Sequence, residues 1–476
     1  MTRGWELSAL AEMQSVVRFF GMHKLPALML LLVSALSAQP PHRPPSKPDP
    51  VMAAKVREEF LHAWNGYKQY AWGHDELRPL TKSYRDWHSG SLYMTPVDAL
   101  DTMILMGLKD KALKDEADLT RELIAKNLSF DQDIEVKNFE ITIRLLGGLL
   151  SSYQLTGDRR LLNLADDLGR RLLPAFESPT GMPYMYVNLK TGKVRGAVSN
   201  PAEIGTLLIE FGTLSKLTGK PVYYDKAKRA LVELYNRRSP IGLVGSTINV
   251  ETGKWMNETS HISGGIDSYY EYLLKASLLF DDKDCEKMWR TSIEAVNRYL
   301  ADDSAKGLWY GQADMNTGKR VGTHYGALDA FFPAVLARSG DLDRARRLQD
   351  SGYRMWTTFG IEPEEIDYST MKIAYDGYAL RPEIVESAYY LHFYTGDPRY
   401  RKMGHTFFDS LVSKCRTEAG YAALTRVETG EKRDSMESFF LAETLKYLYL
   451  LYAPSETLDL NQAIFNTEAH PIGKTW

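Results

Sequence analysis

The chain of 476 residues lacks both a disulfide framework and a bias of charge. Its two cysteines, Cys285 and Cys415, are too few for such a framework and fit no metal-binding spacing, so we interpret them as incidental thiols. The formal net charge is −3, and no run of like charge suggests a binding tail. Because the sequence carries no electrostatic footprint for nucleic acid, we expect no nucleic-acid partner.

An apolar run long enough to cross a membrane is also missing. The apolar stretch near the N-terminus covers residues 25–36, follows Lys24 and ends in a segment that resembles a cleavage site. A membrane span needs roughly 18 apolar residues. We therefore predict an upstream extension and signal peptide in residues 1–38, a proline-rich linker in 39–50 and a single domain in 51–476. We expect an exported monomer with no stable membrane span in its mature form.

Alternating β-branched runs are scarce, and apolar residues recur instead at helical spacing. Apolar helices end in short turns that lead into charged amphipathic helices, and these turns begin at Thr156, Thr218, Phe280, Ser339 and Thr395. Glycine ends one helix and a polar residue caps the next. Such hairpins, with apolar members inside and polar members outside, predict an all-α fold of the α/α barrel or toroid type. An open solenoid would use the same hairpins with shorter repeats.

At least five apolar helices carry an acid near the start. Each acid taken alone is explained by helix capping, by an ion pair or by compensation of the helix dipole. If the inner helices start at one mouth of a barrel, however, these acids repel and desolvate one another, which favours a metal site, proton transfer or both. The acids are Glu140, Glu203, Asp267, Glu383, Glu386, Glu437 and Glu443.

No serine or cysteine nucleophile motif accompanies these acids. A carboxylate cluster of this kind suits glycoside hydrolysis, which needs one acid and one base. It suits equally well a hard cation such as Ca²⁺, which takes oxygen ligands. The residue pattern by itself leaves both chemistries open.

Seven segments, in this order, resemble glycoside hydrolase family 47, the class I α-mannosidases. Together they extend from about residue 51 to the C-terminus, so the resemblance covers nearly the whole predicted domain. The segments are YAWGHDELRPLTKSY (70–84), DALDTMILMGL (98–108), FEITIRLLGGLLSSYQLTGD (139–158), DSYYEYLLK (267–275), LRPEIVESAYYLHFYTGD (380–397), ESFFLAETLKYLYLL (437–451) and FNTEAHP (465–471).

The resemblance implies an (α/α)7 barrel whose C-terminal hairpin plugs one end. It implies Ca²⁺-dependent, inverting exo-hydrolysis of terminal α-1,2-linked mannose on high-mannose-type glycans or mannosides. By the family's motifs, Glu383 is the expected general base, Glu140 the expected general acid acting through a water, and Asp267 an essential residue and the alternative acid. Thr467 would bind Ca²⁺ through its hydroxyl and carbonyl oxygens. Contacts with sugar or with metal-bound water are expected from Arg144, Glu203, Arg381, Glu386, Phe439, Glu443 and Glu468.

The sequence departs from many eukaryotic members at Gly265, where they carry arginine or leucine, and at Ala327 and Ala330, where they carry histidine and cysteine. These departures resemble the degradation-enhancing branch, and they leave the natural glycan open. Two alternatives to hydrolysis of mannose remain. One is a mannose-binding, lectin-like member with weak or no activity, and the other is an α/α-barrel glycosidase or lyase for another sugar, which a count of six hairpins would support.

Overall fold

The structure, a computed structural model, describes residues 47–303 and 307–476. The predicted upstream extension and signal peptide, and residues 39–46 of the predicted linker, lie outside the described residues. Asp49 caps the first helix by accepting a hydrogen bond from the Met52 amide at 3.0 Å. The α-helices of the described residues are α1 (Pro50–Ala71), α2 (Met94–Gly107), α3 (Lys111–Asn127), α4 (Asn138–Ile141), α5 (Gly147–Thr156), α6 (Arg159–Leu172), α7 (Pro201–Gly205), α8 (Leu208–Thr218), α9 (Pro221–Tyr235), α10 (Asp267–Phe280), α11 (Lys283–Tyr299), α12 (Phe332–Ser339), α13 (Leu342–Phe359), α14 (Glu383–Thr395), α15 (Arg399–Cys415) and α16 (Leu445–Tyr452).

The helices form antiparallel hairpins with one apolar and one amphipathic member, as the turn repeat predicts. Every residue of α16 is buried, whereas α6 buries only a stripe that includes Leu161, Leu168 and Leu172 and exposes most of its polar residues. Four of the five predicted turns end their helix with a glycine in the left-handed conformation, which glycine adopts without steric penalty. These glycines are Gly157, Gly219, Gly340 and Gly396.

Seven hairpins close into a ring within the described residues. The inner helices α2, α5, α8, α10, α12, α14 and α16 each pack against the next, and the π-helical stretch Phe440–Thr444 that leads into α16 packs against α2. Their outer partners are α3, α6, α9, α11, α13, α15 and α1. The fold is therefore an (α/α)7 barrel, as the resemblance predicts, and its seventh hairpin joins the first helix to the last. No helix of the described residues is long and apolar enough to cross a membrane.

Short antiparallel strands lie in the segments that lead from an outer helix to the next inner one. The sequence analysis did not predict them, because strands of two to four residues are too short to show an alternating pattern. They are β1 (Glu76–Arg78), β2 (Ser83–Arg85), β3 (Glu135–Lys137), β4 (Tyr186–Asn188), β5 (Val194–Arg195), β6 (Val198–Ser199), β7 (Thr247–Asn249), β8 (Trp255–Asn257), β9 (Thr259–Ser260), β10 (Ala301–Asp302), β11 (Trp309–Tyr310), β12 (Gln312–Asp314), β13 (Arg320–Gly322), β14 (His324–Gly326), β15 (Glu365–Asp367), β16 (Lys372–Tyr375), β17 (Arg416–Thr417), β18 (Gly420–Tyr421), β19 (Leu424–Arg426) and β20 (Glu431–Lys432).

The C-terminal hairpin enters the barrel. Strands β21 (Ala463–Phe465) and β22 (Pro471–Gly473) pair, and the loop between them reaches the inner helices. The Asn466 amide donates to the Ile143 carbonyl and to Glu210, each at 2.8 Å, and Lys446 donates to the Ala469 carbonyl at 2.6 Å. The predicted plug is therefore present, and residues 466–470 form the floor of the barrel interior.

Two inner helices contain a π-helical stretch, which widens the helix by one residue per turn. The first covers Thr142–Leu146 and the second Phe440–Thr444. Such stretches occur frequently at functional sites. Here they carry Arg144 and Glu443, two of the predicted site residues.

Candidate active site

The inner helices start around a pocket of about 310 Å³ whose floor is formed by the plug. The structure brings every predicted site residue into the lining of this pocket. These residues are Glu140, Arg144, Glu203, Asp267, Arg381, Glu383, Glu386, Phe439, Glu443, Thr467 and Glu468. Their roles stay predictions. Of the seven acids near helix starts, six converge on this pocket, whereas Glu437 does not line it.

Arg144 joins the expected acid to the plug. Its Nε donates to Glu140 at 3.0 Å, one helical turn away, and its Nη1 donates to Glu468. The guanidinium also lies 3.6 Å from the Asp98 carboxylate and 5.6 Å from the centre of the Phe439 ring. Arg144 is 9% exposed, and three carboxylates and two aromatic rings, those of Phe439 and Trp87, hold it in one orientation.

The expected base, Glu383, is the first residue of α14 and lines the pocket wall beside Arg381. Burial raises the pKa of Glu383 to about 7, while the Arg381 charge opposes the increase. The Arg381 guanidinium is itself held by Glu364, to which Nε donates at 3.0 Å and from which Nη2 lies 3.0 Å away. Glu383 can therefore change its charge near neutral pH, which a general base requires.

Asp267 begins α10, and its Oδ1 accepts a hydrogen bond from the Ser268 amide at 2.7 Å. Burial raises the pKa of Asp267 to about 7, although this hydrogen bond favours the charged form. One turn along the helix, Glu271 accepts from Lys275, and Lys275 lies 3.8 Å from Glu386. A buried cation thus lies between two pocket carboxylates.

Glu203 contributes a further carboxylate from α7. Its Oε1 lies 2.5 Å from Lys137 Nζ, and the same ammonium lies 3.8 Å from Glu140 Oε1. Burial raises the pKa of Glu203 to about 7 in spite of the lysine. Lys137 thus connects the two acids at the rim of the pocket.

At the floor, the Thr467 amide donates to the Tyr272 hydroxyl at 3.3 Å. Three buried glutamates surround this part of the pocket, namely Glu386, Glu443 and Glu468. Burial raises the pKa of each, and mutual repulsion adds to the increase for Glu443. No three acidic, histidine or cysteine side chains of the described residues are placed to hold one ion directly. A hard divalent cation here would therefore bind oxygens of Thr467 and reach the glutamates through water, and its positive charge would relieve their repulsion.

A scan against protein-family models matches glycosyl hydrolase family 47 over residues 59–474. The chain belongs to this family. Among curated family 47 relatives, Alpha-mannosidase I MNS5 of Arabidopsis thaliana is 39% identical over 88% of this chain and 77% of its own. ER degradation-enhancing alpha-mannosidase-like protein 2 of Homo sapiens is 38% identical over 90% of this chain and 78% of its own. This family 47 chain is thus a glycoside hydrolase.

The solved structures agree with this assignment. The alpha-1,2-mannosidase from Trichoderma reesei superposes with a TM-score of 0.81 at 29% identity, covering 90% of this family 47 chain and 99% of the other. The agreement in fold extends over the whole barrel rather than one part of it.

Several charged residues of the family 47 site escaped the sequence analysis. Lys137 and Glu271 line the pocket, and Lys275 lies just behind it. Lys137 lies three residues before Glu140, and Glu271 follows Asp267 by one helical turn, so proximity in sequence was an available signal. Lys275 ends the segment 267–275 and follows Glu271 by one turn, but its contact with Glu386 had no such signal, because that partner comes from another helix.

Proposed function

We propose that this glycoside hydrolase is a Ca²⁺-dependent, inverting exo-α-1,2-mannosidase that removes terminal α-1,2-linked mannose from high-mannose-type glycans or mannosides. The observation that carries the proposal is the convergence of titratable carboxylates from separate inner helices on one pocket with a floor. The printed name of the Trichoderma reesei relative, an alpha-1,2-mannosidase, supports the linkage.

A pocket closed by the plug admits the end of a glycan and excludes its middle, which supports exo-action. Glu383 is the proposed base, because above a pKa of about 7 its carboxylate can accept a proton from an attacking water. Attack by water instead of a carboxylate inverts the anomeric centre. The proposed acid is Glu140 acting through a water, and the alternative acid is Asp267, whose carboxyl holds a proton below about pH 7.

The residues proposed to hold Ca²⁺ are Thr467, through its hydroxyl and carbonyl oxygens, and Glu386, Glu443 and Glu468, through water. The bound ion would supply orientation of the sugar hydroxyls. In the same pocket, Arg144 and Phe439 would form the wall that positions the ring, and Lys137 keeps a positive charge beside Glu203 and Glu140. Export also belongs to this proposal, and the ER degradation-enhancing relative is consistent with a secretory route.

NMR-monitored hydrolysis of α-1,2-mannobiose tests linkage, activity and stereochemistry together. We expect β-mannose as the first product, loss of turnover in EDTA and recovery with added Ca²⁺. Glu383→Gln should abolish turnover while sugar binding persists. Release of α-mannose first would contradict the inverting mechanism. An unchanged rate in EDTA would contradict the dependence on Ca²⁺. Binding without turnover by the wild type would favour the lectin-like alternative.

A second comparison separates the two candidate acids. A mannoside with a good leaving group, such as a dinitrophenyl group, needs little protonation of the departing oxygen. The variant that has lost the acid should therefore recover activity on this substrate, whereas Glu383→Gln should not. Recovery in Glu140→Gln but not in Asp267→Asn would assign the acid to Glu140, and the opposite result would assign it to Asp267.

A further inference from the structure

Next to the pocket lies a buried glutamate that takes no part in the proposed mechanism. Glu362 belongs to the segment between α13 and β15 and is 0% exposed, although it does not line the pocket. Among the described residues, neither of its carboxyl oxygens has a hydrogen-bond partner in the protein. A buried polar group without partners destabilises a fold, so its presence requires an explanation.

We propose that Glu362 is a positioning residue for Glu383, a neutral carboxylic acid whose hydroxyl group donates a hydrogen bond, directly or through one water, that orients the carboxylate of the base. This inference rests on the proposed function, because it takes Glu383 as the base. It adds a residue that none of the predicted motif roles includes.

The surroundings of Glu362 are acidic and phenolic. Its carboxyl interacts electrostatically with Glu383 of α14 and with Glu364 of its own segment, and Arg381 is the one cation that acts on it. Arg381 is already engaged by Glu364 at 3.0 Å. The phenols of Tyr325 and Tyr378 complete its neighbourhood. Arg381 is thus engaged by Glu364, and the Tyr378 hydroxyl donates to the Arg381 carbonyl at 3.3 Å. Among these donors, only the Tyr325 hydroxyl has no partner in the described residues.

Two neighbouring buried carboxyls do not both ionise readily, so one of them retains its proton. Glu383 has the advantage for ionisation, because it lies at the positive end of α14 and beside the Arg381 charge. Glu362 lies outside any helix, Arg381 has the smallest influence on it, and burial raises its pKa well above the usual range. Glu362 is thus the carboxyl that remains neutral when Glu383 is charged.

A neutral carboxyl can donate a hydrogen bond, and the neighbouring Glu383 carboxylate can accept one. Oε2 of Glu383 is buried and has no hydrogen-bond partner among the described residues. The Tyr325 hydroxyl is likewise buried and has no partner there. Donation from Glu362 to Oε2 would fix the Glu383 side chain and leave its other oxygen for the attacking water. The charged groups that face Glu383 are Arg381, Glu364, Asp267, Glu386 and Glu443.

The test compares Glu362→Gln and Glu362→Leu with the wild type. Glutamine keeps a donor of the same shape, whereas leucine removes it. A hydrogen bond donated to a carboxylate lowers the pKa of that group. In the leucine variant we therefore expect kcat to fall at least tenfold with KM changed less than twofold, and the acid limb of kcat/KM to move up by about one pH unit. Glutamine should restore most of the activity and keep the limb in place.

The direction of the shift decides between the possible states of Glu362. If Glu362 were ionised, its removal would relieve repulsion and move the acid limb down, which would overturn the proposal. An unchanged profile and kcat in the leucine variant would also overturn it. Equal losses in both variants with a lowered Tm would show a structural role instead. Thr120→Val, which removes another buried and unpartnered hydroxyl on the outer helix α3, is the matched control and should change neither kcat nor pH profile.

A readout without turnover keeps this test separate from the proposed function. The ionisation of Glu383 can be followed by NMR in protein labelled at the glutamate carboxyl carbons, with Glu383→Gln assigning its signal. We expect its midpoint to move up in Glu362→Leu and to stay in Glu362→Gln. If the wild type fails to hydrolyse α-1,2-mannobiose but the midpoint moves as expected, the proposed function fails and the coupling of the two glutamates stands.

Discussion

The plug is held in the barrel by a histidine that contacts two aspartates of α2. His470 is 0% exposed, its Nδ1 lies 2.7 Å from Asp101 and its Nε2 lies 3.2 Å from Asp98. A neutral imidazole carries only one N–H, so both contacts are hydrogen bonds to the aspartates only if the ring is protonated. The two aspartates accordingly raise the pKa of His470 to about 9, against the effect of burial.

This charge makes a defined contribution to stability. The pKa rises from 6.5 in the unfolded chain to about 9 in the fold, and one pKa unit corresponds to about 1.4 kcal/mol, so His470 contributes about 3 kcal/mol. Because the folded value is the higher one, the contribution is complete below pH 6.5 and is lost as the pH rises through about 9. His470→Gln keeps hydrogen-bonding ability but cannot carry the charge.

Urea unfolding at pH 6 and pH 9.5, followed by tryptophan fluorescence, measures this contribution. We expect the wild type to lose about 3 kcal/mol more unfolding free energy than His470→Gln between these two pH values. His405→Gln, on the outer helix α15, is the control and should follow the wild type. Parallel pH dependences in the wild type and His470→Gln would refute the protonated imidazole.

Three further results are expected. Lys446→Met should lower the unfolding free energy by about 3–5 kcal/mol in urea titrations, because Asp101 then loses its 2.7 Å ammonium partner in a fully buried position. Gly147→Ala should lower Tm markedly, because the new Cβ would lie 2.5 Å from the side-chain amide nitrogen of Asn466. In Gly157→Ala the new Cβ meets nothing within 4 Å, so the left-handed φ of 73° alone should lower the unfolding free energy, by about 1 kcal/mol. Ca²⁺ at about 100 times its Kd should stabilise the protein by about 2.7 kcal/mol in calorimetry, and EDTA should reverse the effect; no shift in Tm would contradict a specific ion.

The barrel was predictable from sequence because its repeat is local. Each turn, such as the one at Thr156, marks the end of an apolar helix and the start of a charged one within a few residues. The closure of the ring was harder to predict from the sequence. The pairing of α1 with α16 joins segments almost 400 residues apart, and no sequence pattern in either helix indicates which helix it pairs with.

Site residues that lie in sequence motifs could be predicted. Site residues whose roles depend on tertiary contacts could not. The acids at helix starts could be collected before the structure was known, since their positions repeat. The contact of Lys275 with Glu386 and the role of Glu362 could not be predicted, because each depends on a carboxyl that lies on α14. The short strands were missed for a different reason, as two or three residues give no measurable period.

The pairing of α1 with α16 and the insertion of residues 466–470 fix the order in which the molecule can become functional. During synthesis, six hairpins can form in turn from neighbouring segments, but the ring has a gap until α16 leaves the ribosome. The floor residues Thr467 and Glu468 are translated after every pocket wall. A growing chain therefore holds the pocket carboxylates on an incomplete ring of inner helices. The complete pocket forms in one late step, when the hairpin of β21 and β22 enters the closed ring.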